Sequence, residues 1–170
     1  SERWLDPVAL HDLLETLQPS HIILGPGPGR PEDARLTMAL AHHALAGQLN
    51  VPVLGVCLGH QALALADGRP INPSPLGPVH GVPVEVAHDG SGVFESQTSP
   101  MKLTRYNSLV ALDEGDHSML VNATEAGSGL IMGLRHPSLN VHGVQVHPES
   151  IGSHEGHRLI TRFLSSRADG

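Results

Sequence analysis

The stretch Gly55-Val56-Cys57-Leu58-Gly59-His60-Gln61 sets the chain's single cysteine between two glycines. Val51-Pro52-Val53-Leu54-Gly55-Val56 reads as a short buried strand leading into it, and Ala62-Leu63-Ala64-Leu65-Ala66 reads as the helix leading away. A Gly-x-Cys-x-Gly at a strand-to-helix junction has the form of a nucleophile elbow. That turn is so sharp that the positions two before and two after the nucleophile must be nearly free of side chain. The thiol would emerge at the carboxyl end of the strand, where the free N–H groups and dipole of the following helix favour the thiolate. On this stretch alone the alternative is a small hydrophobic cysteine packed into a core.

Working outward, His21-Ile22-Ile23-Leu24 is a short apolar strand followed by Gly25-Pro26-Gly27-Pro28-Gly29-Arg30-Pro31. Alternating proline and glycine make that loop stiff and leave backbone N–H groups exposed, which suits close approach to a ligand better than a mere connection. Upstream, Leu10, Leu13, Leu14 and Leu17 fall at helical spacing behind Asp6, the expected cap, and Pro7. Downstream of the loop, Glu32-Asp33 opens a second helix running to about Ala46. Strand, loop, helix, strand, turn, helix predicts a parallel sheet with helices on its faces, and in such sheets ligands bind outside the carboxyl ends of the strands. The 25–31 loop and Cys57 would meet there.

Residues 68–81 read as a long loop, and residues 82–86, 109–112, 119–122, 130–134 and 141–146 as further short strands, some of them antiparallel. Residues 155–164 read as a closing helix. The chain of 170 residues is about one domain, and neither an internal repeat nor a domain boundary is visible.

Composition narrows the function. A net charge of -7 without a basic stripe, and only 2% aromatic residues, argue against a nucleic-acid surface. No apolar run approaches the ~20 residues of a membrane span. One cysteine rules out an internal disulfide, and a free thiol fits a reducing cytoplasm. Thirteen histidines raise the question of a metal. However, His42-His43 and the His154/His157 pair lack further ligands at a fixed offset, so no metal site is expected.

His147-Pro148-Glu149 sits at the end of the last predicted strand. A cysteine nucleophile needs a base, and that imidazole needs a carboxylate to fix its tautomer. Taken in isolation, the same residues read as a surface histidine and a solvated glutamate. Together with the elbow they form a candidate set of Cys57, His147 and Glu149.

Gly27-Pro28-Gly29, residues 55–61 and His147-Pro148-Glu149, in that order, resemble the class I (triad) glutamine amidotransferases. The segment with His80-Gly81, residues 88–94, Ser99-Pro100 and Arg105-Tyr106-Asn107-Ser108-Leu109 is similar to the branch that serves chorismate-using synthases. The resemblance implies a three-layer α/β fold of flavodoxin-like type with a mostly parallel open sheet. It implies that Cys57 attacks the side-chain amide of L-glutamine, that His147 moves the protons and that Glu149 orients His147. It assigns the oxyanion hole to the N–H groups of Gly27 and Leu58, and glutamine binding to Gly27, Pro28, Gly29, Gln61, Ser108 and Leu109. No cofactor is implied in this domain, since magnesium would belong to a synthase partner, separate or fused. The product would be aminodeoxychorismate, slightly favoured by residues 131–136 and 147–152, or anthranilate. A stand-alone γ-glutamyl hydrolase and an inactive truncated domain are the other readings.

Three departures stand out. Family members usually begin with an additional strand, helix and strand, so residues 1–170 are expected to be one N-terminally incomplete domain with an open sheet edge. Asn107 stands where histidine is more usual, and residues 66–70 look shortened.

Overall fold

The computed structural model describes residues 7–167. The expected cap Asp6 lies outside them. Helix α1 spans Pro7–Leu17 and strand β1 Ile22–Leu24. After the proline-glycine loop comes a single 3-10 turn, Pro31–Asp33, and then α2, Arg35–Leu45. The helix expected from Glu32 therefore starts three residues later, because Ala34 breaks the helical path with ψ of 68°. Strand β2 (Val53–Val56) feeds directly into α3 (Leu58–Ala66). The remaining elements are β3 (Ile71–Pro73), β4 (Val82–His88), β5 (Met101–Arg105), β6 (Leu109–Ala111), β7 (Leu120–Glu125), β8 (Ile131–Arg135), β9 (Val141–Val144) and α4 (Gly156–Ser165).

Seven strands form one sheet in the order β1-β2-β9-β8-β7-β4-β5. Its α/β character agrees with the sequence, but the expectation of a mostly parallel sheet needs correcting to a mixed one. Only β1-β2 and β2-β9 pair in parallel, and the other four pairings are antiparallel. The reason is connectivity. A parallel neighbour needs a crossover of a dozen or more residues, whereas β7, β8 and β9 follow one another through hairpin-length turns.

Strand β2 is buried along its whole length. Leu54 and Val56 face one core with Val86, Phe94, Met132, Val144 and α4 residues Leu159 and Phe163. Val53 faces the other with Ala41 and Ala44 of α2, Ala62 and Leu63 of α3, and Val141. The alternation of side chains along a strand thus builds a helix-sheet-helix sandwich around β2 and β9. Burying these strands on both faces fixes their register, since a one-residue slip would swap the two faces.

Strands β3 and β6 form a separate antiparallel ribbon, with Pro73 opposite Leu109. Its ladder bonds run from Ser74 N–H to the Ser108 carbonyl (2.8 Å) and from Leu112 N–H to the Pro70 carbonyl (3.0 Å). Antiparallel pairs alternate, so the backbone groups of Leu109 point away from β3.

Candidate active site

Cys57 occupies the turn between β2 and α3 with φ 52° and ψ -98°. A non-glycine residue there is strained by about 1–3 kcal/mol, and such strain persists only where the surroundings over-determine it. Here they do. A Cβ on Gly55 would lie 2.5 Å from the Gly59 backbone, and one on Gly59 only 2.0 Å from the Leu24 carbonyl oxygen. The two glycines let the strand end, the helix start and β1 close on one another. The Cys57 N–H donates to the Val144 carbonyl (2.9 Å), and its carbonyl accepts the Gln61 N–H (3.0 Å).

The thiol is buried. Burial pushes its pKa up to about 11, the Leu58 backbone N–H pulls it back down, the Glu149 carboxylate adds to the rise, and the Gln145 amide opposes it. The helix N-terminus was expected to favour the thiolate. Desolvation outweighs it in the free protein, because an enclosed thiolate loses more hydration than one N–H restores.

Across the turn, Gly27 packs against Leu58 so closely that a Cβ would meet the Leu58 side chain at 2.9 Å. The two residues expected to supply the N–H donors are therefore in contact. Pro28 and Gly29 continue this exposed loop, with Gly29 at φ 84°. Gln61 is buried, its amide nitrogen donating to the Leu109 carbonyl (3.0 Å) and to Gln145 Oε1 (3.1 Å). Ser108 is exposed beside it.

His147 lies three residues beyond Val144, the end of β9 and the acceptor of the Cys57 N–H. Its Nδ1 lies 2.6 Å from Glu149 Oε1, the ring is nearly buried, and half of Glu149 is exposed. Its Nε2 is buried without a hydrogen-bond partner among the described residues, so the structure does not join it to the Cys57 sulfur. The His147 N–H donates to the Thr104 carbonyl (2.8 Å). The Ser153 hydroxyl donates to the His147 carbonyl (2.7 Å) and accepts the Thr104 N–H (2.8 Å). The Tyr106 ring meets the imidazole edge-on at 5.0 Å. Sequence reasoning missed Thr104, Ser153 and Gln145. Only Gln145, inside the run read as a strand over residues 141–146 and two residues before His147, left a signal in the sequence.

The model for glutamine amidotransferase class-I matches residues 5–166. The chain belongs to the class I glutamine amidotransferase family. It is 40% identical to anthranilate synthase component 2 of Azospirillum brasilense, covering 88% of this chain and 75% of that protein. It is 38% identical to aminodeoxychorismate synthase component 2 of Escherichia coli, covering 94% and 82%. The chain spans only 26% and 21% of the length of two longer relatives, the bifunctional protein TrpGD of Thermotoga maritima and an aminodeoxychorismate synthase of Streptomyces griseus. A glutamine amidotransferase structure from Thermotoga maritima superposes with a TM-score of 0.64 at 18% identity, covering 91% of this chain and 74% of that one, and shows the shared fold.

The amidotransferase departs from the usual histidine at position 107. Asn107 accepts from Arg105 Nε (3.1 Å) through Oδ1 and donates from Nδ2 to the Leu109 carbonyl (2.8 Å). An amide can do both at once, which explains why asparagine serves there. Among the described residues, no group of three or more histidine, cysteine, aspartate or glutamate side chains is placed to hold a metal ion, and no helix is long and apolar enough to cross a membrane.

Proposed function

We propose that this amidotransferase hydrolyses L-glutamine to glutamate and ammonia through Cys57 and delivers the ammonia to a chorismate-using synthase, fused or separate. The observation that carries the reading is the strained, glycine-framed turn that holds Cys57 against the end of β9, the strand just beyond which the His147–Glu149 pair lies. In this reaction His147 takes the Cys57 thiol proton as the sulfur attacks the carbon of the side-chain amide, and the N–H groups of Gly27 and Leu58 receive the developing oxyanion. His147 passes a proton to the departing nitrogen, which leaves as ammonia, and a γ-glutamyl thioester remains. His147 then takes a proton from water as the water attacks the thioester, and glutamate leaves with Cys57 restored. Glu149 holds the imidazole through Nδ1. Gln61, Pro28, Gly29, Ser108 and Leu109 border the space for the amino-acid end of the substrate. A free thiol with this role belongs in a reducing cytoplasm.

Supporting a chorismate-using partner are relatives of that kind at about equal identity under both product names. Residues 131–136 and 147–152 favour aminodeoxychorismate. Anthranilate is the second reading, and the synthase decides between them.

Labelling with 6-diazo-5-oxo-norleucine, read by intact mass, tests the site. The expected result is one adduct on Cys57 that excess glutamine suppresses and that Cys57→Ser abolishes. A folded chain that takes no label would overturn the reading. Mixing the chain with each type of synthase, glutamine and chorismate then reads the product.

A further inference from the structure

A line of buried polar groups runs from the far side of the sheet to the nucleophile. Glu125 on β7 pairs with Arg105 on β5, both carboxylate oxygens lying 3.0 Å from NH1. Arg105 is almost wholly enclosed. Its Nε donates to Asn107 Oδ1, and Asn107 Nδ2 donates to the Leu109 carbonyl. That carbonyl also accepts from Gln61 Nε2, which in turn donates to Gln145 Oε1. Gln145 Nε2 then lies 3.7 Å from Cys57 Sγ.

The direction of every bond in this line is forced. A guanidinium only donates, so Asn107 must turn its oxygen to Arg105 and its nitrogen to Leu109. A carbonyl only accepts, so Gln61 must offer its nitrogen. Gln145 must then present its oxygen to Gln61, which leaves its nitrogen for the sulfur. Gln145 is fully buried and cannot exchange this partner for water.

We propose that Gln145 donates a hydrogen bond to the Cys57 thiolate, and that Gln61, Asn107 and the Arg105–Glu125 pair are positioning residues that hold its amide in that sense. The thiolate forms in a site that burial makes hostile to charge, and a fixed N–H donor offsets part of that cost. The inference rests on Cys57 being the nucleophile. Alkylation by iodoacetamide reads the thiol itself, whether or not glutamine is the substrate.

The rate of that alkylation, followed from about pH 7 to about pH 10, reports the thiolate fraction, and the rate with p-hydroxymercuribenzoate, which takes thiol and thiolate alike, reports the accessibility of the sulfur. Gln145→Met keeps the volume and removes the donor. Its alkylation rate is expected to fall about tenfold with the mercurial rate unchanged, a hydrogen bond to a charged group being worth about that much. Asn107→Ala should act in the same direction by about threefold, and Asn107→His, which can donate and accept, should return to within about twofold of the parent. A folded Gln145→Met chain that alkylates like the parent, or that loses rate equally with the mercurial, would overturn the donor. A folded Asn107→Ala chain with parental rates would overturn the relay. Circular dichroism establishes folding, and if Gln145→Met does not fold the Asn107 pair decides.

Discussion

The two halves of the candidate site, around Cys57 and around His147, are built by opposite means. On the Cys57 side, backbone meets backbone. Two glycines, a strained turn and ladder bonds to β9 fix the nucleophile with almost no help from side chains. On the His147 side, the histidine sits beyond the end of β9 and is held by hydroxyl-to-backbone bonds, an exposed glutamate and the Tyr106 ring. One side is set by sterics and tolerates no change. The other is set by a few hydrogen bonds and leaves Nε2 unpaired. A hydrogen bond absent from a free enzyme often tightens only in its complex. The difference therefore places rigidity at the nucleophile and adjustability at the base.

The largest expected effect comes from attacking the rigid side. Gly59→Ala places a methyl group against the Leu24 carbonyl, where neither backbone can yield. The chain is expected to lose about 3 kcal/mol or more of stability and its labelling with it. Urea denaturation checks this, and parental stability would break the contrast. On the adjustable side, Glu149→Gln keeps the shape and loses the charge. Glutamine hydrolysis is expected to fall about a hundredfold in kcat while the fold and the reactivity of Cys57 with iodoacetamide persist.

A pH-dependent effect follows from two buried imidazoles next to the nucleophile's strand and helix. His60, in the first turn of α3, is fully enclosed beside the Gly143 backbone, and burial lowers its pKa to about 4. His142 on β9 is lowered to about 4 for the same reason, with Arg135 and Arg162 nearby. Below about pH 6.5 the unfolded chain binds protons that the folded chain refuses. Stability is thus present above that pH and is lost as pH falls toward about 4, by up to about 1.4 kcal/mol per pH unit for each ring. Urea melts across that interval check the slope, and a flat profile would remove these rings from the contrast.

The sequence was most legible where sterics rule. Gly55 and Gly59 announce a close approach that no other residue type permits, and the apolar runs of β2 and β9 announce strands buried on both faces. Strand β5 escaped because Lys102 and Arg105 break its apolar pattern. The burial of Arg105 makes sense only once Glu125, twenty residues on, is opposite it. Strand β3 hid inside a proline-rich segment. Thr104 and Ser153 escaped for the same reason as Arg105, since a hydroxyl bonding a backbone 49 residues away leaves no local pattern. The parallel sheet was over-extended because the first strands and helices alternate while the later strands turn back on themselves.

The Leu109 carbonyl has two lone pairs, one taken by the Gln61 amide on the way to the cysteine and the other by the Asn107 amide on the way to Arg105. It belongs to the small β3–β6 ribbon, not to the large sheet. It is free to serve because, opposite Pro73, it points away from its ladder partner. A slip of one residue in that ribbon would turn the carbonyl inward and strand both amides at once. The ribbon is therefore a gauge for the site. Its outer end is open to solvent at Ser108, one residue from the carbonyl that Gln61 and Asn107 share.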